Sequence, residues 1–355
     1  MKSQETSKKV DQAIQRLIKT KAKINFNQVA LESGVSKAFL YNNREIRNRI
    51  KGLRKQPEGL NSPQTQMSVS ERTEFNLVAL EERDIPGLIA LSALVGWDYD
   101  IHEIQTVMSS GRVYGHKNNE GEIVSSAAII PYGSSLASIG LVIVHQDYRG
   151  NGLGRKVTQK CLDSISDDTT VMLIATHEGK PMYESMGFCS IDSVHKYLSD
   201  SYLLIEPNNN LDMEITPMRE ENLPQVVKLD KNAFGEERMT FLIHRIRQTK
   251  EALVVKDSYG TIIGFGLSIL GPINLILGSI VAPNDHIASL LIDKLAYNHQ
   301  GKLRINIPSE NGAFMSHLEK HGFVKVSQSP IMIKNSKQLP SRNKTLYGIA
   351  AQIFG

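Results

Sequence analysis

The stretch VIVHQDYRGNGLGR at 142–155 decides the fold that we predict for this chain. An uncharged run ends at Val144, a glycine-rich turn occupies 149–154, and apolar residues then recur at helical spacing over 156–165. This order predicts a strand, a glycine loop and a helix. Glycines let the backbone approach an anion closely, and the amides at a helix N-terminus favour negative charge. The stretch is therefore a candidate cradle for a phosphate or pyrophosphate group.

Two familiar phosphate loops are excluded by the residues around these glycines. No Lys followed by Ser or Thr comes after the glycines, so the loop is not a nucleotide P-loop. RGNGLG also lacks the GxGxxG spacing of the dinucleotide fold. On spacing alone, an ordinary turn between a strand and a helix stays open as the alternative.

Two motifs in order resemble those of the GNAT acyltransferases. Arg149-x-x-Gly152-x-Gly154 after an apolar strand resembles the acetyl-CoA loop of that family, and PMYESMGF at 181–188 resembles its second landmark. The resemblance implies that the loop amides hold the CoA pyrophosphate, that the preceding strand pairs with the pantetheine arm, and that Tyr183 protonates the departing thiolate. The acetyl-CoA-binding residues that it implies are Val142, Ile143, Val144, Arg149, Gly150, Asn151, Gly152, Leu153, Gly154, Arg155 and Thr176.

The chain departs from the family pattern at two places. His145-Gln146 stands where a proline is usual, and Thr176 stands where many members have asparagine. Neither change removes a backbone donor, so the resemblance still implies acetyl-CoA binding, whereas the positioning of the acyl group is less closely specified.

Acetyl transfer to an amine needs a stabilised oxyanion and a proton for the leaving thiolate. A phenol with a pKa of about 10 can give that proton while it stays protonated itself, so Tyr183 is the candidate acid. The alternative for Tyr183 is a core aromatic packed beside Phe188. No general base stands out. The candidates by position are Asp98, Asp100, His177 and Glu178, and a chain of water molecules is equally open.

Composition indicates a soluble globular protein with enough residues for two or three domains. The chain has 355 residues, of which 41% are hydrophobic and 22% charged. No apolar signal segment opens the sequence. The uncharged stretch 262–282 is long enough to span a bilayer, but Gly271-Pro272 interrupts it and predicts a turn between two buried strands. We therefore expect no membrane segment.

The cysteines and histidines indicate the cellular compartment and whether a metal site is expected. Cys161 and Cys189 are predicted on a helix and on a strand, which favours a reducing compartment and a cytoplasmic protein. The histidines show no metal spacing with a third ligand, so no metal is predicted.

The basic charge is concentrated at one end of the chain. Residues 1–57 carry 14 Lys and Arg against 4 Asp and Glu, a net charge of +10, whereas the other 298 residues carry 27 against 33, a net charge of −6. Such a split is typical of a chain with a separate basic module.

The first 57 residues predict a small all-α helix-turn-helix module. Apolar residues recur over 6–19, Asn27 is placed to cap a short helix that ends at Gly34, and Ser36 is placed to cap the next. This segment resembles accessory proteins of site-specific transposons, which carry a similar FNxVAxExGVSKxxLY stretch, and the resemblance implies binding to duplex DNA. A basic protein-docking bundle is the alternative. The DNA-binding candidates are Lys37, Asn42, Asn43, Arg44 and Arg47.

The rest of the chain predicts α/β (α+β) architecture in two copies. After a polar linker at 58–73, the order of strands and helices over 74–205 resembles a GNAT domain. The pattern returns at 212–355, with EERDIPGL at 81–88 matched by REENLPQV at 219–226, and Gly187-Phe188 matched by Gly322-Phe323.

The second copy has lost the residues that carry the chemistry in the first. IVAPNDHIA at 280–288 replaces the glycine loop, and Leu318 replaces Tyr183, although Asn311 keeps the asparagine position of the family. The sequence therefore predicts tandem GNAT-fold mixed sheets flanked by helices, with one active and one degenerate half.

Two functions from different classes follow. The first is an acetyl-CoA-dependent N-acetyltransferase acting on a primary amine of a small molecule. The second is a DNA-binding regulator or transposition accessory protein in which the acyltransferase fold senses CoA or a metabolite. The first is favoured because one copy keeps both the loop and Tyr183, and a sensor has no need of the tyrosine.

Overall fold

The computed structural model describes residues 2–20, 26–35, 40, 46, 49–50, 75–203, 213–297, 299–308 and 311–355. The chain divides into two compact units, Met1–Arg72 and Thr73–Gly355. Over the described ranges, no helix has the length and apolarity that a membrane crossing requires.

In the smaller unit, α1 (Lys2–Lys19) packs with α2 (Phe26–Ser33). Gly34 follows α2 at a φ of +66°, which fits its predicted place at the end of that helix. Asn27 lies inside α2 and does not precede it, since the helix begins at Phe26. Among the described residues of this unit, the buried apolar side chains are Val10, Ala13, Ile14, Leu17, Val29, Leu40, Ile46 and Ile50.

The DNA-binding candidates lie outside the described residues. They are Lys37, Asn42, Asn43, Arg44 and Arg47. The predicted cap Ser36 and the predicted linker at 58–73 lie outside them as well.

The larger unit contains two series of elements in nearly the same order. The first series is β1 (Asn76–Leu80), α3 (Ile85–Leu94), α4 (Ile101–Ser110), β2 (Arg112–Lys117), β3 (Ile123–Tyr132), β4 (Leu136–Val144), α5 (Leu153–Leu162), β5 (Thr170–Ile174), α6 (Lys180–Ser185) and β6 (Cys189–Ser199). The second is β7 (Glu214–Pro217), α7 (Leu223–Phe234), α8 (Met239–Arg247), β8 (Glu251–Lys256), β9 (Ile262–Leu270), β10 (Leu275–Val281), α9 (Asp285–Ala296), β11 (Leu303–Pro308), α10 (Gly312–Lys320), β12 (Val324–Lys334) and β13 (Leu346–Gly348).

Local sequence explains several of these boundaries. Pro86 and Pro224 lie in the first turns of α3 and α7, where a missing amide costs no hydrogen bond. The carboxylate of Asp100 accepts from the amide of Glu103 at 2.8 Å and caps α4. Gly271-Pro272 lies between β9 and β10, so the uncharged stretch 262–282 forms two strands of the sheet.

Within the described residues, both series join one 13-stranded mixed sheet in the order β1-β2-β3-β4-β5-β12-β6-β11-β10-β9-β8-β7, with β13 paired to β10. The predicted mixed sheet with flanking helices is therefore confirmed.

The two series exchange strands at the centre of the sheet. β12 belongs to the second series, yet it pairs with β5 from Ile331 opposite Ile174 to Lys334 opposite Val171. The stretch 188–198, expected to close the first half, forms β6 and pairs with β12 and β11. The local pattern identifies these strands but not their neighbours, because pairing partners are set by contacts between distant segments.

One apolar core extends across both series. The rings of Tyr132 and Phe234 meet edge to face with centroids 5.0 Å apart, and those of Phe241 and Phe354 lie 4.5 Å apart. Each of these four side chains is buried. The shared core and the shared sheet make 73–355 one packing unit.

Candidate functional site

The end of β4 separates from β5 and leaves a groove. Their parallel ladder runs from Leu136 opposite Thr170 to Ile139 opposite Leu173, whereas β4 continues to Val144. Leu141 has a φ of +52°, and the register between β3 and β4 shifts at this point. The resulting bulge turns the backbone of 140–144 toward the groove, where its amides and carbonyls are available to an extended ligand.

The glycine loop lies at the open end of this groove. Gly150 and Gly152 have φ angles of +86° and +71°, which glycine adopts without the steric cost of other residues. An added Cβ at either position would meet no atom within 4 Å, so the space over the loop is open. Gly152 caps α5 in the left-handed conformation. The amides of the first turn have no acceptor within the helix, and together with the helix dipole they attract an anion.

Gly154 serves a different purpose from the two loop glycines. A Cβ there would come within 3.3 Å of the Met182 sulfur and of Val144 Cγ2. The helix start is therefore packed tightly between β4 and α6, which fixes the direction of its amides.

Two arginines add positive charge around the loop. Arg149 Nε donates to the carbonyl of Val144 at 3.4 Å, and Arg155 donates to the Ser185 hydroxyl at 2.8 Å. Both arginines are exposed. Asn151 donates its side-chain amide to the Tyr148 carbonyl at 3.0 Å and so braces the loop.

Tyr183 lies on α6 beside the groove and is 7% exposed. Its ring packs edge to face on Phe188 with centroids 5.9 Å apart. Burial raises the pKa of Tyr183 well above its ordinary value, so the phenol stays protonated at neutral pH. The Thr176 hydroxyl accepts from the Gly179 amide at 3.1 Å and holds the start of α6.

Groove and loop open into one cavity of about 1070 Å³. Of the acetyl-CoA-binding residues implied by the sequence, all except Asn151 line it, and Tyr183 does as well. The second series and the C-terminal segment line the opposite side. Their residues are Arg247, Gln248, Ile269, Leu270, Gly271, Pro272, Ile276, Arg304, Ala351, Gln352 and Ile353.

The side of the cavity away from the loop carries charges of both signs. Asp98 and Arg304 approach to 3.7 Å, and the Arg304 Nε is buried without a hydrogen-bond partner among the described residues. Burial lowers the pKa of Lys196, and the nearby Arg304 adds to this effect while Asp98 opposes it. Two cationic side chains and one carboxylate therefore line this side of the cavity.

The four candidate general bases have different surroundings. Asp98 pairs with Arg304, and Asp100 accepts the capping bond from Glu103. Glu178 lines the cavity and is exposed, whereas His177 lies outside the described cavity lining. Among these four, Glu178 is thus the exposed carboxylate of the cavity lining that neither forms an ion pair nor caps a helix within the described part of the chain.

The corresponding groove of the second series is filled by the chain itself. β13 pairs with the end of β10, with Ile280 opposite Gly348, and the Ile349 amide donates to the Asn306 carbonyl at 3.0 Å. Asn311, which keeps the family's asparagine position, donates to the Leu346 carbonyl at 2.8 Å. A strand of protein thus occupies the space that stays open in the first series.

Beyond β13 the C-terminal segment crosses to the first series. Ser138 donates to the Ile353 carbonyl at 2.7 Å, and Tyr132 donates to that of Phe354 at 3.0 Å. Gly140 allows this approach, because a Cβ there would lie 2.5 Å from the Ile353 side chain. Arg238, in a buried ion pair with Asp230 at 2.7 Å, also donates to the Phe354 carbonyl.

Sequence reasoning missed the half of the cavity that comes from distant segments. Lys196, Arg304 and Gln352 lie on β6, on β11 and in the C-terminal segment, far apart in the chain. The available signal was a single cation on a largely apolar strand at Arg304, but such a signal does not identify which cavity the residue faces.

Comparisons with known proteins agree with this geometry. Two family models, each for an acetyltransferase (GNAT) domain, match residues 97–197 and 226–348. A third, for a family of unknown function, matches residues 1–85.

Similar curated proteins fall into two groups. The uncharacterized N-acetyltransferase YitH of Bacillus subtilis (strain 168) is 36% identical over 281 residues, which cover 79% of this chain and 98% of that protein. Transposase C from transposon PsiTn554 of Staphylococcus aureus is 37% identical over 83 residues, which cover 23% of this chain and 66% of that protein.

Solved structures share the fold at low sequence identity. An acetyltransferase structure from Pyrococcus horikoshii has a TM-score of 0.67 at 19% identity. The match covers 82% of this chain and 99% of that protein. A tandem GNAT protein from the clavulanic acid biosynthesis pathway has a TM-score of 0.54 at 15% identity. The match covers 75% of this chain and 100% of that protein.

Proposed function

The chain belongs to the GNAT family of N-acetyltransferases, and from that membership we propose that it transfers an acetyl group from acetyl-CoA to the primary amine of a small molecule. The observation that carries the proposal is the contrast between the two grooves. The first is open and ends at a helix N-terminus, whereas the second is filled by β13.

The residues of the first groove fit acetyl-CoA. The open space over Gly150 and Gly152 accommodates a pyrophosphate against the first-turn amides of α5, and Arg149 and Arg155 add cations beside it. The backbone of 142–144 has the extended form and free edge that suit the amides of a pantetheine arm. Thr176 supports this arrangement indirectly, through its bond to the start of α6.

In the proposed reaction the neutral amine attacks the thioester carbonyl, the new C–N bond forms and the C–S bond breaks. Amides at the β4 bulge near Leu141 stabilise the oxyanion. Tyr183 gives its proton to the departing sulfur, which keeps a thiolate from accumulating in a site of low polarity. Burial raises the pKa of Tyr183, so the phenol carries its proton at neutral pH when the substrate binds. Glu178 accepts the proton that the amine releases.

The charges on the far side of the cavity support an acceptor that carries an anionic group as well as the amine. Lys196 and Arg304 crowd two cations together, and a carboxylate of the acceptor would relieve their repulsion. Asp98 favours a cation and so suits the amine before it loses its proton.

The test compares matched amines with and without a carboxylate, for instance amino acids and their decarboxylated counterparts. Release of CoA, read with a thiol reagent, is expected to be faster with the carboxylate, and Arg304→Met should remove that preference while acetyl-CoA still binds. Equal rates with both amines would refute the anionic acceptor and leave acetyl transfer standing. Absence of CoA release with every amine, despite bound acetyl-CoA, would refute the transferase proposal itself.

A second activity is favoured by the match of residues 1–85 to a separate family and by the similarity to transposon proteins. We propose that the basic N-terminal unit binds duplex DNA, with Lys37, Asn42, Asn43, Arg44 and Arg47 as contacts. The net charge of +10 over residues 1–57 supports binding to phosphates. The two free cysteines support a reducing, cytoplasmic setting for both activities.

An electrophoretic mobility shift assay with a DNA duplex tests this second activity. It compares the full chain with residues 73–355 alone. Affinity should fall steeply as the salt rises, and Arg47→Ala should weaken binding to all sequences alike. Failure of the full chain to shift any duplex at low salt would leave a protein-docking role for the unit.

A further inference from the structure

Three possible metal ligands meet in the second series, away from the cavity. Asp293 lies on α9, His317 on α10, and His321 directly follows α10. One ligand atom from each lies within 4.8 Å of the other two. All three lie outside the described cavity lining, so this cluster belongs to neither substrate.

The two histidines are arranged as a metal pair on one helix would be. They are four residues apart, so they project from the same face, and their ring centroids are 4.0 Å apart. His321 Nδ1 lies 2.8 Å from the His317 carbonyl, an arrangement in which an Nδ1 proton donates to that carbonyl and leaves Nε2 as a lone-pair donor.

The His317 ring carries an unexplained polar atom. Its Nε2 is buried and has no hydrogen-bond partner among the described residues. A buried polar atom without a partner is destabilising, and native proteins rarely leave one in that state. A bound ion would satisfy this nitrogen together with the His321 ring and the carboxylate.

Tyr202 supports the cluster from outside. Its hydroxyl donates to one oxygen of Asp293, and its ring stacks on His321 with centroids 5.5 Å apart and an interplanar angle of 18°. The second oxygen of Asp293 thus remains available as a ligand in a fixed orientation. Metal sites commonly orient their ligands with outer hydrogen bonds of this kind.

We propose that Asp293, His317 and His321 bind one divalent transition-metal ion of the Zn²⁺ type. Two imidazoles and one carboxylate are a donor set that suits Zn²⁺, with a fourth position for water. The site joins α9 to α10, which pack against each other, and its role is to stabilise the second half.

The sequence shows two of the three proposed ligands as a pair. His317-Leu-Glu-Lys-His321 has the four-residue spacing of a helical metal pair, whereas the third ligand is 24 positions earlier, on another helix. The sequence alone predicts no metal, because no third ligand accompanies this pair at metal-binding spacing.

The experiment titrates Co²⁺, a visible reporter for Zn²⁺, into the full chain after chelator dialysis and without a histidine tag. Expected are d–d absorption bands of a tetrahedral or five-coordinate ion, saturation at one Co²⁺ per chain, and loss of the bands when Zn²⁺ is added. The melting temperature should rise with Zn²⁺ and fall again with chelator.

Matched variants separate this site from chance binding. His317→Gln, His321→Gln and Asp293→Asn should each abolish the bands, and Tyr202→Phe should weaken Co²⁺ affinity by about 10- to 100-fold. His299→Gln, at a partly buried histidine of the same half that lies outside the cluster, is the control and should bind as the parent does. Circular dichroism shows whether each variant folds. The comparison of Co²⁺ bands is made with the ligand variants that are folded, of which at least one is required.

Co²⁺ bands that survive in a folded ligand variant would overturn the proposal, as would an absence of bands in the parent chain. CoA release measured alongside should be unaffected by His317→Gln at temperatures where the variant is folded, because the cluster does not contact the cavity.

Discussion

Gly150 and Gly152 give the loop the backbone conformation on which the proposed anion binding depends. Their positive φ angles turn the loop so that the amides at the start of α5 face open space. No side chain is needed for this function, and any side chain at Gly152 adds strain because L-residues disfavour this φ.

Gly152→Glu is expected to weaken acetyl-CoA binding by about 3 kcal/mol or more, because it sets a carboxylate against a pyrophosphate. Gly152→Ala is the matched control. It carries the same backbone strain of roughly 1–2 kcal/mol without the charge, so its affinity should fall far less. Calorimetric titration measures both variants. Equal affinity in the glutamate and alanine variants would contradict the anion cradle.

At Tyr183 the same side chain fills the core and carries the proposed proton. Tyr183→Phe keeps the ring against Phe188 and removes only the hydroxyl, so turnover should fall by about 10²- to 10⁴-fold while acetyl-CoA affinity changes little. Tyr148→Phe is the control within the same cavity, since its hydroxyl bonds to Asn118.

The pH dependence gives a second test of Tyr183. Burial raises the pKa of the phenol, so the neutral form is favoured in the folded protein. The contribution of this group to the free energy of unfolding is therefore lost only as the pH rises above the pKa of free tyrosine. Turnover should therefore not decline between neutral pH and about pH 9 through loss of this proton. Retained turnover in Tyr183→Phe with a lower melting temperature would assign the residue to packing alone.

At the scale of elements, β13 determines which of the two grooves stays open. It pairs with β10 where the first series leaves the edge of β4 to a ligand, and the Asn311 amide holds it through the Leu346 carbonyl. In the second series the polypeptide thus supplies the hydrogen bonds that, under the proposed function, a pantetheine arm makes in the first.

Asn311→Ala should lower the free energy of unfolding by about 1–3 kcal/mol, because the buried Leu346 carbonyl loses its donor. Acetyl-CoA should still bind at one site per chain with unchanged affinity. Denaturant unfolding and calorimetry measure the two quantities. A stoichiometry of two in either protein would show that the second groove admits the cofactor.

At the scale of the whole molecule, the exchange of β12 and β6 makes the two halves dependent on each other. β5 is completed by β12, and β6 is paired on both sides by strands of the second series. The C-terminal segment adds its own residues to the core and to the cavity wall.

Residues 73–203 expressed alone should therefore fail to fold cooperatively, since β5 and β6 would both lose their neighbours and expose unpaired edges. Residues 73–355 should fold and keep acetyl-CoA binding. Amide NMR dispersion and thermal unfolding distinguish the two. A folded, active 73–203 fragment would mean that the first half can re-form its own sheet.

The sequence by itself determined the features that short stretches encode. Strand, loop and helix at 142–155 follow from hydrophobic period and glycine conformation, and the second motif at 181–188 follows the first at the family's spacing. The sequence also shows that the second copy has lost the glycine loop, because residues 280–288 lack the glycines that the conformation of such a loop requires.

Only the tertiary structure decided which distant segments meet. The place of β12 beside β5, the closing of the second groove by β13, and the approach of Arg304 to Asp98 join residues far apart in the chain. The same holds for Asp293 with His317 and His321. Such contacts depend on the packing of the entire core and on which strand edges find partners, and no local period or propensity carries that information.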